Sequence, residues 1–274
     1  MAEYEPLVRL GLFIGVLLAM MGWELAAPRR RPQCPRRRRW PHNLALVALN
    51  TLLVRLWFPL AAVGAALVAA ERGWGLLNQL SLPGWFGLLL SLLALDFIIY
   101  LQHRLFHAVP LLWRLHRLHH ADLEFDVTTG LRFHPLEILL SMLIKLLAVV
   151  LLGTPALAVL IFEVLLNISS MFNHGNVRLP ARLDRRLRLL VVTPDMHRVH
   201  HSILRRETDS NFGFNLPWWD RLFGTYRAQP AAGHAGMIIG LEEFRDPGEL
   251  RLDRMLLQPF RRPPRPSGGR EIPK

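Results

Sequence analysis

The sequence has 274 residues, 51% of them hydrophobic, a mean hydropathy of +0.24 and a formal net charge of +12. The apolar residues are concentrated in long runs, which predicts a membrane protein. The basic residues lie between these runs, as they do in cytoplasmic loops, so the positive charge does not lead us to expect nucleic-acid binding. The single cysteine, Cys34, excludes a disulfide framework and cysteine-based metal sites, and no nucleotide-binding glycine motif is present.

The first two apolar runs, 10–27 and 44–70, predict membrane helices on either side of a basic loop. The flank before the first run is not basic, whereas Arg29–Arg31 and Arg36–Arg39 follow it. A cleaved secretory signal would show the opposite order, so we expect an uncleaved helix whose C-terminal end is cytoplasmic. Segment 1–84 is therefore interpreted as N-terminal membrane helices with a basic cytoplasmic loop.

A third apolar run, 84–102, leads directly into the first histidines of the chain. Asp96, His103 and His107 have the spacing of one helix face. An acidic residue inside a membrane segment is a candidate functional group. Asp96 is therefore expected either to orient a histidine ligand or to make a buried structural contact.

Histidines form the most specific pattern in the sequence. Five lie between residues 103 and 120, and three more lie between 197 and 201; each set contains one H-x-x-H-H motif. Such spacing places imidazoles on one face of a helix, and neutral imidazole is a common ligand of zinc, copper, iron and nickel. With His174 the candidates number nine, which is too many for one ion and suits two. The candidate ligands are His103, His107, His116, His119, His120, His174, His197, His200 and His201.

The remaining histidines are assigned separately. His134 precedes a proline and is left open as a ligand, as a hydrogen-bond partner of a ligand, or as a helix start. His42 and His234 stand apart from the clusters, and we expect them at the surface.

Two further apolar runs, at 136–152 and to about residue 172, are separated by a Gly-Thr-Pro turn at 153–155. Each is near the lower length limit for crossing a bilayer, so they predict either a transmembrane hairpin or a re-entrant pair. Lys145 and Glu163 fall at similar depth in this hairpin. Because unpaired charges in a membrane are costly, we expect them to neutralise each other.

The topology predicted by the charge pattern places every clustered histidine on one side. With the basic loop inside and the weakly charged loop 71–83 outside, the first cluster, His174 and the second cluster are all cytoplasmic. The segment after residue 175 is soluble in character, and the aromatic stretch 211–225 is expected to form a lid on the metal site or to lie at the membrane interface. The tail from Arg261 is expected to be disordered.

The ligand type favours one class of chemistry. Hydrolytic two-metal sites normally include bridging carboxylates, and no Asp or Glu lies inside these clusters. Nitrogen-rich ligation beside a membrane instead suits activation of O2, because the C–H bonds of a lipid require a strong oxidant.

At this point the sequence resembles the fatty acid hydroxylase/sterol desaturase superfamily of integral-membrane non-haem di-iron enzymes. The resemblance covers about residues 85–227, through the histidine motifs, the Arg-Phe-His-Pro-Leu-Glu stretch at 132–137, His174-Gly-Asn and the Asn-Phe-Gly-Phe-Asn to Trp-Asp-Arg-Leu-Phe-Gly-Thr segment. It implies an all-α membrane bundle of about four to five helices with a cytosolic helical cap, two Fe ions held by the eight clustered histidines and His174, O2 as cosubstrate, and lipid hydroxylation. Some members supply a further histidine where this chain has Ser170.

The resemblance also bears on domains and on residues around the metal ligands. It places the catalytic domain at 85–227 and leaves 228–274 as a C-terminal segment. Further candidates, as residues that orient ligands or as ligands themselves, are His134, Asp96, Glu137, Asp195, Asn211 and Asp220.

A separate electron donor is expected, because no cytochrome b5-like His-Pro-Gly-Gly motif and no flavin or iron–sulfur signature is present. A ferredoxin- or cytochrome b5-type carrier would be attracted by basic residues such as Arg182, Arg185 and Arg186. Desaturation within the same family, a zinc-dependent membrane hydrolase and a metal carrier are the alternatives. The sequence specifies neither the lipid nor the oligomeric state.

Overall fold

The computed structural model describes residues 5–262 of the chain. Within these residues it is all-helical: there is no β-strand, and only two isolated bridges join Pro28 to Val177 and Ser202 to Ile239. The all-α prediction is confirmed. The tail predicted to be disordered lies, beyond residue 262, outside the described residues.

Long helices build the bundle, and short helices follow in the second half of the chain. The first seven helices are α1 (Glu5–Ala26), α2 (Arg36–Trp57), α3 (Ala61–Glu71), α4 (Gly84–Ala108), α5 (Pro110–His120), α6 (Pro135–Leu152) and α7 (Ala156–Asn173). The short ones are α8 (Ala181–Leu187), α9 (Pro194–His200), α10 (Arg205–Thr208), α11 (Trp218–Leu222), α12 (Gly233–Gly236) and α13 (Leu252–Leu257). Single 3-10 turns lie at Leu76–Gln79, Thr129–Leu131, Pro247–Leu250 and Gln258–Phe260.

Between residues 5 and 262, five segments are long and apolar enough to cross a membrane, in agreement with the four to five predicted. They are Leu7–Ala26, Arg36–Gln79, Gly84–Ala108, Pro135–Leu152 and Ala156–Asn173. Their outward faces expose many large apolar side chains, as expected of surfaces in contact with lipid.

The second apolar run differs from the prediction of one helix over 44–70. The structure begins α2 earlier, at Arg36, and breaks the run between Trp57 and Ala61. Pro59 explains the break, because the residue before a proline is pushed out of helical geometry; Phe58 has φ −129° and ψ 68°. The first half of α2 also buries polar side chains, so it packs against protein rather than lipid.

The core of the bundle lies where α3, α4, α6 and α7 meet. Small side chains on α3, such as Ala62 and Ala66, pack with Leu95, Val149 and Phe162. α1 lies along α7, and α2 lies along α6. Alanines at the contact allow the short helix α3 to approach its neighbours closely.

One end of the bundle is closed by two loops that touch. A Cβ on Gly75, in the loop after α3, would lie 2.1 Å from the backbone nitrogen of Gly153, in the α6–α7 turn, and both residues have positive φ. The hairpin therefore reaches as far as the loop before α4. Its helices of 18 residues each correspond to about 27 Å, close to the thickness of the hydrocarbon core.

The predicted contact between Lys145 and Glu163 is confirmed, since the Lys145 ammonium bonds Glu163 Oε1. Arg9 of α1 adds a second cation, with its Nη1 2.6 Å from Glu163 Oε2. The carboxylate thus joins α1, α6 and α7 inside the bundle.

The basic segment that runs from the loop after α1 into the first turn of α2 packs on the histidine-bearing end of the molecule. Arg39 of α2 is fully buried and bonds Asp122 and Asp126, each at 2.6 Å, just beyond the end of α5. Arg29 contacts Asp195 at 3.1 Å, at the start of α9. Both histidine clusters therefore lie at the same end of the bundle as the basic loop.

Candidate metal centre

The nine clustered histidines assemble into two groups, and every one of these side chains is buried. Within each group the candidate ligand atoms lie within 4.8 Å of one another. The five-histidine group contains His103, His107, His116, His120 and His200, and the four-histidine group contains His119, His174, His197 and His201.

Each H-x-x-H-H motif serves both groups. In α5, His116 and His120 are one helical turn apart and join the five-histidine group, whereas His119 points to the other group. Around α9 the assignment is reversed: His200 joins the five-histidine group, and the pair His197 and His201 joins the four-histidine group. Adjacent residues on a helix are about 100° apart, which explains why neighbouring histidines face different groups.

Local sequence signals start these helices where the site needs them. Pro110 occupies the first turn of α5 after an extended Val109, so the chain turns sharply out of α4. Thr193 caps α9 through its side chain, and Pro194 follows at the first helical position.

Backbone carbonyls fix two imidazoles of the five-histidine group. His103 Nδ1 donates to Phe212 O at 2.8 Å, and His200 Nδ1 donates to Ser210 O at 2.7 Å. A carbonyl oxygen only accepts hydrogen bonds, so the proton lies on Nδ1 and Nε2 keeps a free lone pair.

Carboxylates orient two more imidazoles of this group. His116 Nδ1 lies 2.6 Å from Glu137 Oε1, and His107 Nδ1 lies 3.2 Å from Asp209 Oδ1. A carboxylate behind an imidazole fixes its orientation and raises its basicity as a metal ligand. Glu137 was a candidate from the sequence. Asp209 was not, because no spacing within its polar segment distinguishes it from its neighbours.

The four-histidine group is centred on His174. Its Nδ1 donates to Ser170 O at 2.7 Å, which leaves Nε2 without a proton. That Nε2 lies 3.1 Å from His119 Nε2 and 3.0 Å from His197 Nε2. Ser170 directs its own hydroxyl to Gly130 O at 2.7 Å, so it does not replace a histidine in the group.

The inward nitrogens fit metal cations. In both groups, nitrogens that carry lone pairs lie at hydrogen-bonding distance from one another. In the five-histidine group, the Nε2 atoms of His107 and His120 are 3.1 Å apart. Buried acceptors with no donor are costly in a protein interior, and a cation between them removes the cost. Among the described residues, the buried Nε2 atoms without a hydrogen-bond partner include those of His103, His116, His200 and His201.

Burial keeps the histidines outside the membrane segments in the form that binds metal. It lowers the pKa of His174 to about 4 and that of His200 to about 3. Burial, followed by repulsion from neighbouring imidazoles, also holds the pKa of His119, His120, His197 and His201 well below the usual value. At neutral pH these imidazoles are neutral and able to coordinate.

An aromatic shell surrounds the two groups. Phe133 stacks on His119 with ring centroids 4.5 Å apart, and Phe125 lies 5.0 Å from His201. Phe212 lies 5.1 Å from His107. These rings exclude water from the imidazoles. The predicted aromatic stretch therefore contributes Phe212 to the cover of the site, whereas Trp218 is exposed.

Asp96 does not contact any of the nine histidines within the described part of the chain. Its carboxylate accepts hydrogen bonds from Asn215 Nδ2 and Trp219 Nε1, each at 2.8 Å. It therefore fastens the segment after α10 to the membrane helix α4, which is the structural role left open by the sequence.

Asn211 and Asp220 act on the same segment. Asp220 accepts from the backbone nitrogens of Phe212 and Gly213, each at 2.8 Å. Asn211 adopts a positive φ of 53° and donates to Met196 O in α9. They hold the loop whose Phe212 carbonyl fixes an imidazole of the five-histidine group.

Asp195 and His134 lie outside both groups. Asp195 bonds Arg29 and Arg198. His134 starts α6 and accepts a hydrogen bond from Leu136 N, which is one of the three roles that the sequence left open.

The prediction that His234 lies at the surface is wrong. Its side chain is 5% exposed, because the chain after α11 folds back over the start of α9. His42 is half-buried.

Gly130 is a further site residue that the sequence did not reveal. A Cβ there would lie 2.8 Å from His174 Nδ1 and 2.6 Å from Ser170 O. Only glycine allows the 129–131 turn to approach the His174 imidazole so closely.

Comparison with known proteins places this geometry in context. The sequence model described as "Fatty acid hydroxylase" matches residues 88–225. Ornithine lipid hydroxylase OlsE of Rhizobium tropici is 34% identical over 149 residues, 54% of this chain and 44% of that protein. Alkylglycerol monooxygenase of Homo sapiens is 29% identical over 144 residues, 51% of this chain and 30% of that protein. Cholesterol 25-hydroxylase of Rattus norvegicus is 27% identical over 162 residues, 59% of this chain and 53% of that protein.

Each match thus spans less than two thirds of the relative's length. No solved structure is significantly similar to the chain.

Proposed function

The chain belongs to the fatty acid hydroxylase family, and from that membership we propose that it is an integral-membrane, O2-dependent oxidoreductase that hydroxylates the hydrocarbon part of a membrane lipid. The observation that carries the proposal is the pair of buried histidine groups at one end of an apolar helical bundle. The relatives act on an ornithine lipid, an alkylglycerol and cholesterol, which share a hydrocarbon portion rather than a headgroup.

We propose that the two groups hold two irons, five histidines at one and four at the other. Iron bound there would supply the activation of O2, and the overall reaction would convert R–H, O2, two electrons and two protons into R–OH and water. The all-histidine composition of the groups favours this over hydrolysis, since hydrolytic two-metal sites use bridging carboxylates.

The protein's own part is positioning and exclusion of water. Carbonyl and carboxylate oxygens on the outer side of the imidazoles hold each ring in one tautomer and one orientation. The aromatic shell keeps bulk water from the imidazoles. Because His103 and His107 are on the last turns of α4, a substrate chain in the bilayer has a short path to the five-histidine group.

Electrons are proposed to enter through Trp113, from a separate ferredoxin- or cytochrome b5-type donor. This half-buried ring lies 4.9 Å from His107 and 5.3 Å from His120, between centroids, and the Arg205 guanidinium lies 5.2 Å from the centroid of the same ring. Trp113 thus joins the five-histidine group to an arginine at the surface. The arginines of α8 are the competing docking surface expected from the sequence.

Two charge-reversed variants distinguish these surfaces. Arg114→Glu/Arg206→Glu alters the surface around Trp113, and Arg182→Glu/Arg186→Glu makes the same change of charge on α8. We expect only the first to slow reduction by the donor protein, with both unchanged when dithionite supplies the electrons. The opposite ranking would move the docking surface to α8.

Metal analysis of purified protein tests the reaction class. We expect about two irons per chain, loss of metal in His119→Ala/His200→Ala, and no loss in His42→Ala, which alters a histidine outside both groups. Iron-loaded protein given lipid, O2 and a reductant should form an alcohol. An alkene instead would assign the desaturase alternative, and two zincs that resist replacement by iron would favour the hydrolase.

The active site is proposed to face the cytoplasm. The basic loop after α1 and the first turn of α2 pack against the histidine-bearing segments, and arginine-rich segments between membrane helices normally stay on the cytoplasmic side.

A further inference from the structure

A cavity lined by none of the nine clustered histidines lies beside Asp195, at the start of α9. It is a cavity of about 720 Å³, a size typical of ligand pockets. Five arginines and two aspartates line it, so it carries a net positive charge of three. These residues are Arg29, Arg178, Arg185, Arg188, Arg221, Asp184 and Asp195.

Internal contacts hold part of the lining in place. Arg29 contacts Asp195 Oδ1 and Oδ2 at 3.1 Å each, and Arg188 contacts Asp184 at 2.7 Å. Arg221 lies 4.1 Å from the ring of Tyr226. The walls of the cavity are thus built before any ligand arrives.

Other polar groups of the lining have no protein partner. Within residues 5–262, the exposed guanidinium groups of Arg178 and Arg185 make no hydrogen bond or ion pair. Arg188 Nε is buried without a hydrogen-bond partner, and His234 Nε2 lies 3.7 Å from Asp195 Oδ2, too far for a hydrogen bond. A buried donor without an acceptor is costly, and an oxyanion would satisfy it. Arginine is the side chain best suited to bind phosphate, through paired hydrogen bonds.

The cavity lies beside an exposed apolar strip. Leu189, Leu190, Trp218 and Leu222 are 59%, 61%, 42% and 70% exposed, and Trp218 Nε1 donates to Leu189 O at 2.6 Å, which joins the two segments of the strip. Arg188 and Arg221, on the cavity wall, belong to the same two segments. An apolar surface of this kind is typical of contact with a membrane.

The strip is also attached to a membrane helix. Trp219 of α11 packs on Phe97 of α4, with centroids 4.8 Å apart, and Phe223 lies 5.7 Å from the same ring. The strip is therefore held against a helix of the apolar bundle at Phe97, and the cavity opens beside the strip.

We propose that this cavity binds the phosphate of an anionic phospholipid headgroup at the membrane interface, with the apolar strip inserted among the acyl chains. Arg178 and Arg185 supply the free guanidinium groups, and Arg188 and Arg221 form the fixed wall. The bound lipid anchors the segment from α8 to α11 on the bilayer. The proposal concerns binding alone and does not depend on the proposed reaction.

Two double variants with the same loss of charge test it on the detergent-purified full chain. Arg178→Gln/Arg185→Gln removes the free guanidinium groups of the cavity. Arg182→Gln/Arg186→Gln removes two arginines of α8 that do not line it. The probes, at equal ionic strength, are dihexanoyl phosphatidylglycerol, dihexanoyl phosphatidylcholine and inorganic phosphate, and thermal stabilisation of the protein reports binding.

We expect phosphatidylglycerol to stabilise the protein and phosphatidylcholine to have little effect. The apparent Kd for phosphatidylglycerol should rise at least about tenfold in Arg178→Gln/Arg185→Gln, because losing even one hydrogen bond to a charged group weakens binding by about that factor. In the control variant the apparent Kd should rise by less than about threefold. Equal losses in the two variants, or no loss in the first, would overturn the proposal.

Two other outcomes would assign the cavity differently. If inorganic phosphate binds as tightly as phosphatidylglycerol, with the same dependence on Arg178 and Arg185, the cavity is a free-anion site. If Arg178→Gln/Arg185→Gln leaves lipid binding unchanged but raises the KM for the reduced donor protein, the cavity is a protein docking site. Either result would refute a lipid headgroup as the ligand.

Discussion

Glu137 lies directly behind His116, one of the candidate metal ligands. Its carboxylate fixes the His116 imidazole from behind. Removing such a partner typically costs 10- to 100-fold in metal affinity. We therefore expect Glu137→Ala to weaken metal binding by that order. Glu137→Gln keeps an acceptor oxygen, so its metal affinity should fall by about tenfold or less. Competition with a chelator measures both, and equal affinity in the two variants would refute an orienting role.

His234 is expected to make stability depend on pH. Burial lowers its pKa from the usual 6.5 to about 4. Between these values the unfolded chain binds a proton that the folded protein does not, so stability falls as the pH drops from 6.5 towards 4. The slope is at most about 1.4 kcal/mol per pH unit.

A matched variant isolates this residue from the other histidines. Wild type should lose about 1–2 kcal/mol relative to His234→Gln between pH 7.5 and pH 5, because the variant lacks the titrating group. Denaturant unfolding in phosphate-free detergent buffer measures the difference. A gap that stays constant with pH would show that His234 is not held neutral.

Residue types and spacing predicted the nine histidines, but not what orients them. The spacing of H-x-x-H-H is a helical pattern, so it appears directly in the sequence. Asp209 contacts His107 at a sequence separation of 102, and Gly130 contacts His174 at a separation of 44. Such contacts have no local signature. The Phe212 carbonyl is a backbone group and leaves no signature at all.

At the scale of elements, the α6–α7 hairpin carries a testable ion pair. Lys145 and Glu163 are in contact, and removing either leaves a charge in the bundle. A double-mutant cycle with Lys145→Met and Glu163→Gln should give a coupling of about 0.5–2 kcal/mol. Reversible unfolding in mixed micelles measures it. Because Arg9 also contacts Glu163, Lys145→Met should be the milder single change. Additive single effects would show that the contact has no energetic weight.

Helix boundaries were predictable where hydropathy alone sets them. The fourth and fifth apolar runs became α6 and α7 with small shifts at their ends, and the third became α4, which extends six residues beyond the predicted 84–102. The second run did not, since a hydropathy window does not register Pro59 or the polar first half of α2. Arg39 shows how a charged side chain in that half is buried: two buried aspartates pair with it and offset the cost of removing its charge from water.

For the whole molecule, Cys34 provides a natural test of orientation. It is the single cysteine, it lies on the basic loop, and burial raises the pKa of its thiol, so labelling is best done at about pH 8. If the loop is cytoplasmic, an impermeant maleimide should label Cys34 in inverted vesicles and not in intact cells. Moving the thiol by Cys34→Ser/Ser81→Cys, into the loop before α4, should reverse the pattern. Labelling of Cys34 in intact cells would invert the proposed topology.

The sharing of α5 and α9 between the two histidine groups has a consequence for assembly. Neither group can be completed without fixing the rotation of both helices, and fixing that rotation for one group also sets it for the other. If each group takes one cation, as proposed, the first would bear most of the entropic cost of ordering, and the second would bind to a preorganised cage. Loading is expected to be cooperative, with a sigmoidal titration and few singly loaded chains at half saturation.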